Sequence, residues 1–245
     1  MQTTQPLTPA RVSIAPDFAW DRQDAYLLDI DGTLLRSRDR VHYESFAESV
    51  RRVTGFEITL AGIATQGNTD TAILAEACRQ AGIPAEVLHK RMGEMMEAMC
   101  RNVAERRAEM DPMVMPGVKD FLRYLADRGA LLGVGTGNLE AIGWVKIEAA
   151  GLREWFRFGG FADRYPVRSE LVGQAARKAR ELTSPDARVC VVGDTPRDIE
   201  AARANMLPVI AVATGRSSFD ELLALEPDVC TTTLADLLAW PGSGQ

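Results

Sequence analysis

The chain has 245 residues, the upper end of what one hydrophobic core can serve, so it reads as a core domain that carries a smaller one. Apolar residues make up 46% and charged residues 25%, which excludes a wholly disordered, collagen-like or coiled-coil protein. Lys and Arg number 28 against 34 Asp and Glu, a formal charge of −6 that offers no basic surface for nucleic acid, although one well-placed arginine can still hold a small anion.

Residues 1–24 are rich in Pro, Thr and Gln and read as an N-terminal extension, partly disordered. They hold no basic stretch followed by a continuous apolar run, and no segment reaches the roughly 18 apolar residues of a membrane span, so a cytoplasmic protein without a membrane partner is expected. Cys78, Cys100, Cys190 and Cys230 form no C-x-x-C pair, and His42 and His89 are the only histidines; neither a zinc site nor a disulfide scaffold is expected.

The first clear element is the apolar run 25–30, a buried strand that ends abruptly in Asp31-Gly32-Thr33. From 43 to 110 the sequence carries only helical periodicity, over 43–53, 69–81 and 85–110. This block is too long for a simple crossover, so residues 42–110 are expected to form a helical cap hinged at 36–41 and 111–116. The Rossmann-like core is then 25–41 together with 111–245. Apolar strands follow at 130–134, 187–192 and 208–213, with a weaker one at 228–231. Amphipathic helices alternate with them at 117–128, 139–150, 169–182, 196–205, 219–225 and 234–239. Strands that are apolar throughout and alternate with helices specify a doubly wound parallel sheet, an α/β fold covered on both faces.

Ligands bind such sheets outside the carboxyl ends of the strands. The first strand delivers Asp29 and Asp31 there, on one side of the alternation, and Gly32 permits a tight turn whose N–H groups can approach an oxyanion. The second ends in Gly135-Thr136-Gly137-Asn138, a hydroxyl between glycines at a helix start, suited to a phosphoryl oxygen. The strand at 187–192 ends in Gly193-Asp194-Thr195-Pro196-Arg197-Asp198. Carboxylates converging in this way repel one another unless a cation sits among them, and an all-oxygen set suits Mg²⁺. Arg168, at the start of a helix, is the candidate to grip phosphate oxygens; Lys178 and Lys146 are the substitutes, Lys146 reading as an ordinary helix-surface residue.

Asp29-Ile30-Asp31-Gly32-Thr33, then Thr136, a basic residue, and Gly193-Asp194 through Asp198 resemble in order the four signature motifs of the haloacid dehalogenase-like phosphohydrolase superfamily. The helical insert resembles the cap of its phosphoglycolate-phosphatase-like branch. The resemblance implies that Asp29 attacks phosphorus to give an aspartyl-phosphate, while Asp31 protonates the leaving oxygen and then activates water. It also implies that Mg²⁺ is held by Asp29, the Asp31 carbonyl and Asp194. Thr136, the Gly137 N–H and Arg168 would stabilise the phosphoryl oxygens, Gly32 and Asn138 would complete the phosphate site, and Asp198 would orient Arg168 or a water. Two departures stand out: the third motif carries Arg168 where lysine is usual, and the cap carries Gly67-Asn68-Thr69-Asp70 without the basic residue often found before Thr-Asp.

Other residues have plainer readings. Met92, Met95, Met96 and Met99 share one helix face and read as cap core, and His42 reads as a polar helix residue. Asn68, Thr69 and Asp70 either reach the cleft or cap the helix after them; Arg36, Arg38 and Arg40 read as a solvated hinge. The activity expected is a Mg²⁺-dependent phosphatase for a small phosphorylated metabolite, the rivals being a phosphomutase of the same fold and a non-catalytic binding protein built on it.

Overall fold

The computed structural model describes residues 10–241. In chain order it runs β1 (Val12–Ile14), β2 (Ala25–Leu28), β3 (Leu35–Ser37), α1 (Val41–Thr54), α2 (Asp70–Gln80), α3 (Ala85–Glu105), β4 (Pro112–Val114), α4 (Val118–Asp127) and β5 (Leu131–Gly135). It continues with α5 (Glu140–Ala149), β6 (Phe158–Gly160), α6 (Arg168–Leu182), β7 (Val189–Gly193), α7 (Pro196–Ala204), β8 (Val209–Val212), α8 (Phe219–Leu223), β9 (Val229–Thr231) and α9 (Leu234–Leu238). Among the described residues seven strands form one sheet in the order β1-β9-β8-β7-β2-β5-β6, parallel throughout except for β1 at the edge. No helix of the described residues is long and apolar enough to cross a membrane.

Strand β2 shows why the sheet is covered twice. All four of its residues are buried: Tyr26 and Leu28 face one core with Phe121 and Leu122 of α4, and Ala25 and Leu27 face the other with Leu171 and Ala175 of α6. An apolar residue at every position, which lacks the alternation of a half-exposed strand, is what burial on both faces demands. Helices α1, α2 and α3 enclose a third apolar cluster in which Met95 and Met99 are fully buried, with Met92 and Met96 packed against it. That cluster takes in Leu139 and Ile142 at the start of α5, so the helical insert rests on the sheet domain through apolar contact.

Three features depart from the sequence reading. Of the expected extension 1–24, residues 1–9 lie outside the described residues. The rest belongs to the core: Val12–Ile14 pairs antiparallel with β9, and Trp20 is buried against the rings of Phe121 and Tyr124. Second, β3 and β4, in the two segments expected as hinges, pair antiparallel, Leu35 opposite Val114, and Arg38 and Asp39 both bond to Asp111 beside them. Third, β6 is an additional edge strand; Phe158-Gly159-Gly160 is too short and too poor in side chains to show an apolar pattern.

Candidate active site

The strands that carry the charged turns are neighbours, since β2 lies between β7 and β5. Leu28 stands opposite Val192 on one side and Val134 on the other. Asp29, Thr136 and Asp194, which follow these residues within two positions, therefore emerge at one level of the sheet. They open into a cleft of about 620 Å³ between the sheet and the helical insert, lined also by Asp31, Asn138, Lys146 and Arg168.

On the β7 side three carboxylates converge. Asp29, Asp194 and Asp198 are all buried, and one oxygen from each lies within 4.8 Å of the others. Arg168, the first residue of α6 and itself buried, reaches Asp29 Oδ2 at 2.9 Å with Nη2. Its Nε and Nη2 both donate to Asp198 Oδ1, at 3.0 and 2.6 Å. The second oxygen of Asp198 accepts the N–H and hydroxyl of Thr195, which closes the start of α7. Asp198 thus has both oxygens engaged and orients Arg168, while Asp29 and Asp194 keep lone pairs free.

Burial and the neighbouring carboxylates Asp198 and Asp31 push the Asp29 carboxyl well above its ordinary range, although Arg168 works against them. Burial, Asp29 and Asp198 do the same to Asp194. One guanidinium cannot neutralise three buried carboxylates, and the surplus of hard oxygen donors fits a divalent cation such as Mg²⁺.

Glycine makes room for Asp194. A Cβ on Gly32, whose φ is +90°, would lie 2.4 Å from Asp194 Oδ2, and one on Gly215 only 1.7 Å from it. The Gly32 N–H is spent on the Leu35 carbonyl at 2.8 Å, so the expectation that it faces an oxyanion is corrected: glycine is needed here for space and for its positive φ. Thr33 donates from its hydroxyl to Asp194 Oδ1 at 2.9 Å.

On the β5 side Asn138 and Lys146 surround Asp31. Lys146 Nζ donates to Asp31 Oδ2 at 2.6 Å and to Asn138 Oδ1 at 2.7 Å. Asn138 Nδ2 donates to the same Asp31 oxygen at 2.8 Å and to Thr136 Oγ1 at 2.7 Å. Partial burial works to raise the Asp31 carboxyl, but Lys146, His42 and Asn138 outweigh it and hold the group below its ordinary range. The reading of Lys146 as a helix-surface residue is wrong. It sits four residues after buried Ile142, on the face of α5 that packs inward, and is 2% exposed. Lys178 is on the surface, paired with Glu181.

The segment 66–70 of the insert closes the cleft from above. Arg168 Nη1 donates to the Gly67 carbonyl at 3.1 Å, Thr69 Oγ1 to the Pro166 carbonyl at 2.6 Å, and Asp70 N to the Gly137 carbonyl at 2.7 Å. A Cβ on Gly137 would stand 2.3 Å from the Asn68 carbonyl, which makes the glycine of the second motif a docking point. Thr69 also caps α2 by accepting from Ala72 N, and Asp70 Oδ2 accepts from Leu139 N, so this segment both caps its helix and reaches the core. His42 is a polar residue of α1, as read, and lines the cleft: its Nε2 lies 3.1 Å from Asp70 Oδ2 and its ring lies beside Phe46. Arg36 donates to the Thr214 carbonyl at the cleft mouth.

Sequence reasoning offers Lys146 only as a substitute for Arg168, on a helix surface, and misses Gly215. Lys146 was detectable as a charge at an apolar position of a helix, and Gly215 as a glycine just beyond the strand ending at Val212.

The family model for haloacid dehalogenase-like hydrolases matches residues 23–205. The phosphoglycolate phosphatase of Synechococcus elongatus is 34% identical over 125 residues, 51% of this chain and 58% of that protein. The phosphoglycolate phosphatase of Agrobacterium fabrum is 30% identical over 143 residues, 56% of this chain and 59% of its own length. The matches thus span little more than half the length of these relatives. Among solved structures, that of CbbY from Rhodobacter sphaeroides in complex with phosphate superposes with a TM-score of 0.57 at 20% identity, over 80% of this chain and 89% of that one, a likeness of fold.

Proposed function

Because this chain belongs to the haloacid dehalogenase-like hydrolase family, we propose that its cleft houses a Mg²⁺-dependent phosphohydrolase site for a small phosphomonoester, working through an aspartyl-phosphate. The observation that carries this reading is the charge count at the end of β2 and β7, three buried carboxylates against one guanidinium. Asp29, Asp194 and the Asp31 carbonyl would hold the metal. Bound there, Mg²⁺ would offset the carboxylate charge and draw electron density from the phosphoryl oxygens.

Asp29 is the nucleophile: its carboxylate oxygen bonds to phosphorus as the bond to the leaving oxygen breaks. Asp31, half open to the cleft, gives its proton to that oxygen, then takes a proton from the water that hydrolyses the aspartyl-phosphate. Thr136, the Gly137 N–H and Arg168 stabilise the phosphoryl group, and the insert excludes bulk water. Relatives named phosphoglycolate phosphatase make 2-phosphoglycolate the first ester to assay.

The test is phosphate release from 4-nitrophenyl phosphate and 2-phosphoglycolate, with Mg²⁺ and with EDTA, in the parent protein and Asp29→Asn. Release should require Mg²⁺, and the variant should lose about 10⁴-fold or more in turnover while keeping its circular dichroism. Turnover of Asp29→Asn at the parent rate would overturn the covalent mechanism.

A further inference from the structure

Lys146 has no counterpart in the chemistry assigned so far, because Arg168 already supplies the cation beside Asp29. A lysine that is 2% exposed gives up nearly all its hydration, so its partners must fix it closely. They do, and the directions of the bonds are informative. An ammonium can only donate, which forces Asn138 to turn its Oδ1 toward Nζ. The amide nitrogen must then face the other way, and it meets two acceptors, Thr136 Oγ1 and Asp31 Oδ2.

Two consequences follow from this arrangement. Thr136 receives a hydrogen bond on its oxygen, so its own hydroxyl proton remains to be donated toward the cleft. Asp31 has Oδ2 pinned by two donors, Lys146 and Asn138, and Oδ1 takes neither bond, although the side chain is 44% exposed to the cleft. The two sites of proton donation are therefore set by one buried ammonium eight residues beyond Asn138 on α5.

We propose that Lys146 is a positioning residue for phosphoryl transfer: it fixes the sense of the Asn138 amide and holds one oxygen of Asp31, so that the other oxygen of Asp31 faces the leaving group and the Thr136 hydroxyl faces the phosphoryl group. This rests on the reading of Asp31 as the acid given above. In the step itself Asp31, ionised at rest beside Lys146, takes the proton of the bound phosphomonoester monoanion on Oδ1 and passes it to the leaving oxygen, while the bond from that oxygen to phosphorus breaks and the Asp29 oxygen bonds to phosphorus. Lys146 keeps its three protons, and no further reactant is needed.

Leaving groups separate this role from a merely structural one. An acidic phenol departs as its anion and gains little from a positioned proton, whereas an alkoxide depends on it. The full chain with saturating Mg²⁺ is assayed on 4-nitrophenyl phosphate and on 2-phosphoglycolate, comparing the parent with Lys146→Met. The variant should lose about 10²-fold in kcat on the alkyl ester but less than about 10-fold on the aryl ester. KM for both should stay within about threefold, because Lys146 is 2% exposed and its ammonium is spent on Asp31 and Asn138. Equal losses on the two esters, a rise in KM with kcat intact, or no change would each overturn the proposal.

Should Lys146→Met fail to fold by circular dichroism, Lys146→Gln is compared with the parent in the same way; it should lose more kcat on the alkyl ester than on the aryl ester, and equal losses on the two would overturn the proposal. Asp29→Asn is run alongside. If the parent releases phosphate from neither ester, the phosphohydrolase reading falls and this proposal with it; if Asp29→Asn turns over at the parent rate, the aspartyl-phosphate mechanism falls and the step written here with it; if Asp29→Asn is inert while Lys146→Met loses both esters alike, only the positioning role falls.

Discussion

Two polar clusters flank the end of β2, and they differ in how their charge is balanced. On the β7 side Asp29, Asp194 and Asp198 share one guanidinium, all four side chains are buried, and the carboxyls of Asp29 and Asp194 are driven upward. On the β5 side Asp31 faces one ammonium and one amide, and its carboxyl is driven downward. Both clusters border one cleft, but Asp29 and Asp194 are buried while the Asp31 side chain is 44% exposed, so burial contributes to the contrast. The ratio of anions to cations differs as well. A deficit of positive charge marks a place for an added cation, and a balanced pair marks a place complete without one.

The largest break in that contrast is expected from removing a charge on the deficient side. Asp194→Asn should lower Mg²⁺ affinity by more than the roughly 10–100-fold typical of losing a group that only orients a ligand. Isothermal titration with Mg²⁺ measures it, and an unchanged affinity would remove Asp194 from the metal site. Gly215→Ala tests the same carboxylate without altering charge. Its Cβ would collide with Asp194 Oδ2, so the side chain must turn away, and a loss of about 10-fold in Mg²⁺ affinity is expected. The fold should survive, and an alanine variant titrating like the parent would show that Asp194 holds no metal in the orientation seen.

The smallest effect is a dependence on pH. Carboxyls whose pKa is raised on folding bind more protons in the folded than in the unfolded chain. Without metal their contribution to stability therefore falls as pH rises above about 4, the ordinary carboxylate value. Mg²⁺ competes with those protons, so the rise in Tm on adding Mg²⁺ should be larger at pH 8 than at pH 5.5. Thermal melts with Mg²⁺ and with EDTA at the two pH values check the sign. A Mg²⁺ shift independent of pH would mean the deficient cluster takes up no metal.

The parallel sheet was legible because its central strands are apolar at every position and each ends in a charged or glycine-rich turn, as at Leu28-Asp29 and Val192-Gly193-Asp194. The edge strands were not. Val12–Ile14 is three residues in a Pro-rich setting, and Phe158–Gly160 carries two glycines, so neither has enough side chains to show a period. Asp29, Asp194 and Arg168 were readable from order along the chain because each belongs to a strand end or helix start. Lys146 was passed over because a lysine on a helix is ordinarily solvated, and only the packing of Ile142 and Ile147 beside it shows that this one is not. Gly32 lines the cleft, but its missing side chain matters more than its N–H, which is spent on the Leu35 carbonyl.

Strand β1 has a consequence for handling the molecule. β9 carries two hydrogen-bonding edges: β8 occupies one and β1 covers the other, running antiparallel to it. An uncovered row of peptide groups beside buried Val229, Cys230 and Thr231 would be a template on which a second polypeptide could add a strand. Val12–Ile14 thus act as a seal over β9 and leave at the sheet's edge a three-residue, partly buried strand, a poorer template for strand addition than buried β9. A truncation chosen from the family-matched region alone, beginning at residue 23, would remove that seal while leaving every signature residue in place.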